Sequence, residues 1–294
     1  MAASKRVFLF CFIALFCSTL LQGATLVEFA KMALESHRAD RNDFDCPEDW
    51  SVLSTHLKLR DGFMAVAFQC NRTSEVIISF SGTHFTDPED LLADLGIVKS
   101  DIESLKEAIE VLMKPGANPQ NPDYQKAKQT IAKTKSSMID SPDQKVTDQI
   151  IEAREFYQKV LTLLESKKRF DILHKDIDDN ASNDKQKVKI SVCGHSLGGF
   201  LAQIIAYENK LPCHTFNSPG AAGIFKKELS SQLIVNHIRM FDLTGYYGKH
   251  IGSVLVYPEV NRTMTNFYMP FFIRNHVMGG FYEDLQNGML PMPE

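Results

Sequence analysis

The run Val188-Lys189-Ile190-Ser191-Val192-Cys193 passes without a break into Gly194-His195-Ser196-Leu197-Gly198-Gly199, and a helical stretch from Phe200 to Asn209 follows. A β-rich segment that hands over to a helix through a G-x-S-x-G turn can fold in few ways. The serine must sit on a sharp, strained elbow at the end of a strand, and Gly194 and Gly198 leave the room that side chains would deny. Ser196 is then lifted out of the sheet above a helix N-terminus, where backbone N–H groups favour developing negative charge. The strand before and the helix after make this a nucleophile candidate; the alternative is an ordinary glycine-rich turn.

The rest of the chain alternates in the way that elbow demands. Leu26 to Glu35 reads as a short amphipathic helix. Phe63 to Cys70, Glu75 to Phe80, Lys187 to Cys193, Cys213 to Phe216, Asn236 to Phe241 and Ser253 to Tyr257 read as strands. Strands separated by helices predict an α/β fold, a mostly parallel sheet with both faces covered. Between Lys99 and Asp184 the chain turns charged and helical. Ile102, Leu105, Ile109 and Leu112 fall on one helical face, Pro115-Gly116 ends that helix, and a weaker one is expected from Asp123 to about Ser137. Val146, Ile150, Ala153, Tyr157, Val160 and Leu164 form a strong 3.6-residue stripe on a helix expected to cover the sheet. Residues 99–145 are therefore an insertion, either a lid over a cleft or a surface decoration packed by its stripe.

The first 23 residues stand apart. Lys5 and Arg6 precede an uncharged, mostly apolar run from Val7 to Leu21, followed by Gln22-Gly23-Ala24. This is the pattern of a secretory signal peptide cut near Gly23 or Ala24, and the run is short for a membrane span. A signal anchor is the alternative. After cleavage no stable transmembrane span is expected, and residues 24–294 form a single domain. The chain of 294 residues is 44% hydrophobic, enough for a sizeable core, and its net charge of −4 gives no basic excess for nucleic acid. Export makes a Cys46–Cys70 disulfide the expectation, whereas Cys193 and Cys213 lie in core strands and are expected as buried thiols. Three sequons, at Asn71, Asn180 and Asn261, are glycosylation acceptors only in a eukaryotic secretory pathway.

A nucleophilic serine needs a base, an acid to hold the base, and donors for the oxyanion. In hydrolase order the acid and the histidine follow the serine. Asp242 comes after the strand Ile238-Arg239-Met240-Phe241 and is the best acid; Glu228 and Glu259 are weaker. His214 and His237 fall inside strands, so the base is His250 or His276, with position favouring His276. His195 is directed away from Ser196 by its place in the chain and is expected to be structural. The oxyanion donors are the N–H of Leu197 and a second group from the loop Ser81-Gly82-Thr83, where Thr83 can offer both its N–H and its hydroxyl.

Taken in order, Ser81-Gly82-Thr83, Asp90-Leu91-Leu92-Ala93-Asp94-Leu95, Gly194 to Gly199, Phe216-Asn217-Ser218-Pro219-Gly220 and Asn236 to Asp242 resemble the class 3, fungal-type lipases. The resemblance covers about residues 60–280 without the insertion. It implies the α/β-hydrolase fold, a Ser196–Asp242–His276 triad, Thr83 and Leu197 at the oxyanion, and Asp94 supporting the Thr83 hydroxyl. It also implies a lipid or ester substrate met at a lipid–water interface, with no metal and no cofactor. Departures are Ser81 in place of the family's arginine, Leu91 in place of an aromatic, and the bulk of Cys193 and Phe200 beside the elbow. A phospholipase or general carboxylesterase would use the same triad, and a catalytically idle hydrolase fold serving as a binding protein stands as the other class.

Overall fold

Strands form where β-branched and aromatic residues cluster, and helices where apolar residues recur at helical spacing. The computed structural model describes residues 23–58, 62–82, 92–97, 99–116, 118–175, 188–225, 229, 231–259 and 271–293, with only the backbone of 168–175 and 271–273. Thr83, Glu228, Asn180 and Asn261 lie outside these residues, as does the apolar leader up to position 22.

The described residues build a seven-stranded sheet in which sequence order is also spatial order. The strands are β1 (Trp50–Lys58), β2 (Phe63–Cys70), β3 (Val76–Phe80), β4 (Ile190–His195), β5 (Cys213–Phe216), β6 (Ile234–Arg239) and β7 (Ser253–Tyr257). β1, β2 and β3 pair antiparallel, and every later pairing is parallel. β1 carries a register irregularity between Val52 and Ser54 and was not among the expected strands. β6 begins two residues earlier than expected and stops at Arg239, because Phe241 turns the backbone at φ +63°. This sheet, with helices on both faces and a strand–serine–helix elbow in the middle, is the α/β-hydrolase fold.

Alternation along β2 shows how the two layers are made. Phe63, Ala65 and Ala67 enter one apolar layer with Val76, Ile78 and Phe80 of β3, while Met64, Val66 and Phe68 enter the opposite layer with Ile77. Both sides are buried, as expected of strands covered by helices on each face. The first layer holds α2 (Lys99–Met113), α3 (Pro122–Lys135), α4 (Gln144–Lys175) and α5 (Leu197–Asn209). The second holds α1 (Leu26–Glu35) and α7 (Met278–Gln286); a short helix, α6 (Phe271–His276), precedes α7. α1 starts on a capping box: the Thr25 side chain accepts from the Glu28 N–H, and the Glu28 carboxylate accepts from the Thr25 N–H at 2.7 Å. Asp143 caps α4 by accepting from the Val146 N–H at 2.8 Å.

The insertion is docked. Ile102, Leu105, Ile109, Ala127 and Ile131 join the same apolar layer as β3 and α5. The chain leaving α3 is held from below: the Gly248 N–H donates to the Thr134 carbonyl and the Lys249 N–H to the Ser137 carbonyl, at 3.1 and 2.8 Å.

The expected Cys46–Cys70 disulfide is not formed; Cys46, Cys70, Cys193 and Cys213 are free thiols. β2 turns Cys70 into the apolar layer under α1, where it packs as a small hydrophobe, and Cys46 lies at the edge of the same layer. Burial pushes the Cys193 thiol up to about 12 and raises that of Cys213 as well.

His214 and His237 hydrogen-bond one another across β5 and β6 at 2.9 Å, and the other His237 nitrogen meets the Tyr257 hydroxyl at 2.9 Å. Across the His214–His237 contact one nitrogen donates and the other accepts, so the two rings cannot both be protonated. Burial lowers His237 from 6.5 to about 3, helped by His214, and lowers His214 to about 4. The unfolded state binds protons here that the folded state refuses, so stability rises with pH and is lost on acidification. Between pH 6.5 and about 3, His237 alone is expected to cost about 1.4 kcal/mol per pH unit. Urea unfolding at pH 7 and pH 5 measures the slope. His237→Asn should reduce the slope without removing it, because the depressed His214 and His250 keep their share, and an unchanged slope would contradict this origin.

Candidate active site

In-register pairing brings the carboxyl ends of the parallel strands to one edge. Phe80 lies opposite Gly194, His195 opposite Phe216, and Phe216 opposite His237. The residues that follow, Ser81-Gly82, Ser196, Asn217 and the turn to Asp242, therefore share that edge, the usual place for ligands in open α/β sheets.

Ser196 has φ 57° and ψ −129°, a strained conformation for a side-chain-bearing residue. The elbow is possible because its glycines allow the backbones to touch. A Cβ on Gly198 would lie 2.0 Å from the Phe80 carbonyl oxygen, and one on Gly194 would lie 2.4 Å from Gly198. Phe200, one turn on, is wholly buried in the α2–α5 layer, so its bulk is absorbed by packing. Leu197 opens α5, where the first N–H groups of a helix have no partner within it.

Three of the sequence-chosen side chains come together. The Ser196 hydroxyl lies 2.9 Å from His276 Nε2, and His276 Nδ1 lies 2.8 Å from Asp242 Oδ2. With Nδ1–H donating to the carboxylate, Nε2 is left to accept from the serine. Asp242 is fully buried, its second oxygen accepting from the Gly245 N–H, while the His276 side chain keeps 12% exposure. His250 is elsewhere: its Nε2 bonds the Gly245 carbonyl at 3.1 Å, behind the turn that follows Asp242. Asp94 pairs with Lys145 at 3.5 Å, and its carbonyl accepts from the Asp143 N–H. Thr83 falls outside the described residues, so its relation to Asp94 and to the elbow is not described.

Two residues hold His276 from behind. The His195 Nε2–H donates to the His276 carbonyl at 2.6 Å, which gives its expected structural role a definite object. Burial, followed by the nearby His276 and His37 rings, holds His195 well below the usual histidine range, so it stays neutral. Asn217 was not singled out from the sequence as a site residue. At φ 45° it ends β5, accepts from the Arg239 N–H at 2.9 Å, and donates to the Asn275 and His276 carbonyls at 2.8 and 3.3 Å. It ties the ends of β5 and β6 to the helix that carries His276. Arg239, wholly buried, extends the clamp by bonding the Gly280 carbonyl and Asp284 of α7. Among the described residues, no group of three or more His, Cys, Asp or Glu side chains is arranged to hold a metal ion.

No family model and no curated protein matches this chain. Among solved structures, it is similar to the Lip2 lipase from Yarrowia lipolytica, with 13% identity, a TM-score of 0.43, and 80% of this chain and 78% of that one covered. It is also similar to a Rhizomucor miehei lipase propeptide complex, at 16% identity and a TM-score of 0.43, over 80% and 70% of the two chains. Lipase II from Rhizopus niveus is similar at 12% identity and a TM-score of 0.40, over 85% and 90%. Likeness this distant assigns no chemistry, and what the site can do follows from the side chains of this chain alone.

Proposed function

We propose that this chain is a secreted serine hydrolase that cleaves carboxylic esters of lipids through an acyl-enzyme, with Ser196 as nucleophile, His276 as base and Asp242 as the acid that orients it. The supporting observation is the continuous hydrogen-bond relay from the Ser196 hydroxyl through His276 to the buried Asp242, set on a strained elbow. His276 Nε2 takes the hydroxyl proton as Ser196 attacks the ester carbonyl. The Leu197 N–H and Thr83 stabilise the oxyanion, and His276 returns the proton to the leaving alcohol. Water, activated by the same base, then frees the acid.

The lipid part of this reading rests on the ordered motifs that resemble class 3 lipases. Hydrolysis of p-nitrophenyl esters of increasing acyl length, then of triacylglycerol and phospholipid emulsions, tests it. Activity confined to short soluble esters would point to a carboxylesterase instead, and turnover of phospholipid alone to a phospholipase.

Secretion is supported by the fit of a processed N-terminus. The Ala24 N–H donates to Glu75 Oε2 at 3.2 Å, and Glu75 is buried. Cleavage after Gly23 would place a new α-ammonium on that carboxylate, immediately before the Thr25 cap. Among the described residues no helix is long and apolar enough to cross a membrane. The intact mass of chain recovered from the medium is expected to begin at Ala24; a retained leader would contradict cleavage.

A further inference from the structure

Phe241 has φ +63°, a conformation that a bulky residue keeps only where its surroundings hold it. Tyr246 holds it. The Phe241 N–H donates to the Tyr246 hydroxyl at 3.1 Å, and the Tyr246 N–H donates to the Asp242 carbonyl at 3.3 Å. One buried residue therefore grips the chain just before Asp242 with its side chain, and Asp242 itself with its backbone. The turn between them lies close on the carboxylate. The Gly245 N–H donates to Asp242 Oδ1, and a Cβ on Gly245 would lie 2.6 Å from Ile238 Cγ2 and 3.0 Å from that oxygen. The direction in which Oδ2 faces His276 thus depends on where Tyr246 sits.

Tyr246 is in turn held by the insertion. Lys135, the last residue of α3, places its ammonium 4.2 Å from the centroid of the Tyr246 ring, within reach of a cation–π attraction. Beyond it, the bonds from the Gly248 and Lys249 N–H groups to the Thr134 and Ser137 carbonyls tie the same stretch to the chain after the tyrosine. Ile139 is buried there, and a Cβ on Gly248 would lie 2.8 Å from Ile139 Cδ1, so the glycine leaves the socket that Ile139 fills. Leu243, Tyr246 and Tyr247 share one apolar layer with Leu105 of α2 and Ile131 of α3. From the α2 side, Asp101 adds to burial in pushing the Tyr247 hydroxyl up to about 12.

We infer that Tyr246 is a positioning residue for Asp242, and that the insertion is a brace that holds Tyr246 through Lys135. This inference rests on the serine-hydrolase reading above, in which Asp242 orients His276. It gives the charged helices a part in the chemistry without any contact to substrate.

The test is steady-state hydrolysis of p-nitrophenyl butyrate by full-length variants, joined to the ¹H NMR resonance of the His276 Nδ1 proton, assigned by its loss in His276→Ala. In Tyr246→Phe, kcat is expected to fall about threefold to thirtyfold, less than the roughly hundredfold cost of a 1 Å misplacement, with KM within about twofold. The Nδ1 resonance should move upfield as its hydrogen bond to Asp242 weakens. Lys135→Met, which keeps the stem and removes the charge, should shift both readouts in the same direction by a smaller amount, about twofold in kcat. Tyr257→Phe is the structural control: it removes a buried tyrosine hydroxyl from the opposite layer and should leave kcat and the resonance unchanged. Should Tyr246→Phe fail to fold, the Lys135 variant carries the test. Unchanged kcat or an unmoved resonance in folded Tyr246→Phe, or an equal loss in Tyr257→Phe, overturns the role of Tyr246. Unchanged readouts in Lys135→Met overturn the brace. Wild-type activity in Ser196→Ala overturns the hydrolase reading itself, so the failures are distinguishable.

Discussion

Ser196→Ala is expected to lower kcat for ester hydrolysis by about 10⁴- to 10⁶-fold, the range seen when a triad nucleophile is removed. The thermal midpoint should stay within a few degrees of wild type, because the side chain lost is small and no buried partner is stranded. His276 remains hydrogen-bonded to Asp242 through Nδ1, and its Nε2 faces the open edge of the site. The strained conformation is unchanged by the substitution, since alanine carries the same Cβ. A binding protein built on an idle hydrolase fold would show no such difference between wild type and variant. Residual activity above about one per cent of wild type would put the nucleophile elsewhere.

Asp242→Asn is expected to cost about 10⁴-fold in kcat while leaving the fold intact, because it reverses the tautomer of the base. The Gly245 N–H already donates to Asp242 Oδ1. In the asparagine variant that N–H holds the amide oxygen in place and leaves the amide nitrogen facing His276. The ring must then accept at Nδ1, so its proton moves to Nε2, where it points at the Ser196 hydroxyl and cannot take that proton. The substrate KM should change little, because Asp242 is fully buried. A loss under tenfold, measured on the same ester at the pH optimum of wild type, would contradict this role for the carboxylate.

What could be read from the chain, and what could not, divides along physical lines. Helix α1 and strands β2, β5 and β7 announce themselves in local composition, and the structure has them at the expected residues. β1 was missed because its alternation is weak: Ser51, Thr55 and His56 dilute it, and most of its side chains are only partly buried. Ser196, Asp242 and His276, which the structure joins by hydrogen bonds, could be chosen because the proposed chemistry asks for particular residue types in a particular order. Asn217, Arg239 and the contact from His195 to the His276 carbonyl could not be chosen in that way. They act on backbone carbonyls, which every residue has, so the partner leaves no mark in the sequence. The Asn217-Ser218-Pro219-Gly220 run at the end of β5 was the one available hint, since asparagine readily takes the positive φ found there. The Cys46–Cys70 disulfide was inferred from compartment and their shared place in the N-terminal part, whereas β2 turns Cys70 into the apolar layer and both cysteines are free.

The central claim is that Ser196 is an activated nucleophile, and reaction with a fluorophosphonate followed by peptide mass mapping tests it most directly. The account predicts a single adduct on the peptide containing Ser196, abolished in Ser196→Ala and strongly slowed in His276→Ala. No labelling of folded protein under conditions that label a control serine hydrolase, or an adduct on a different serine, would contradict it.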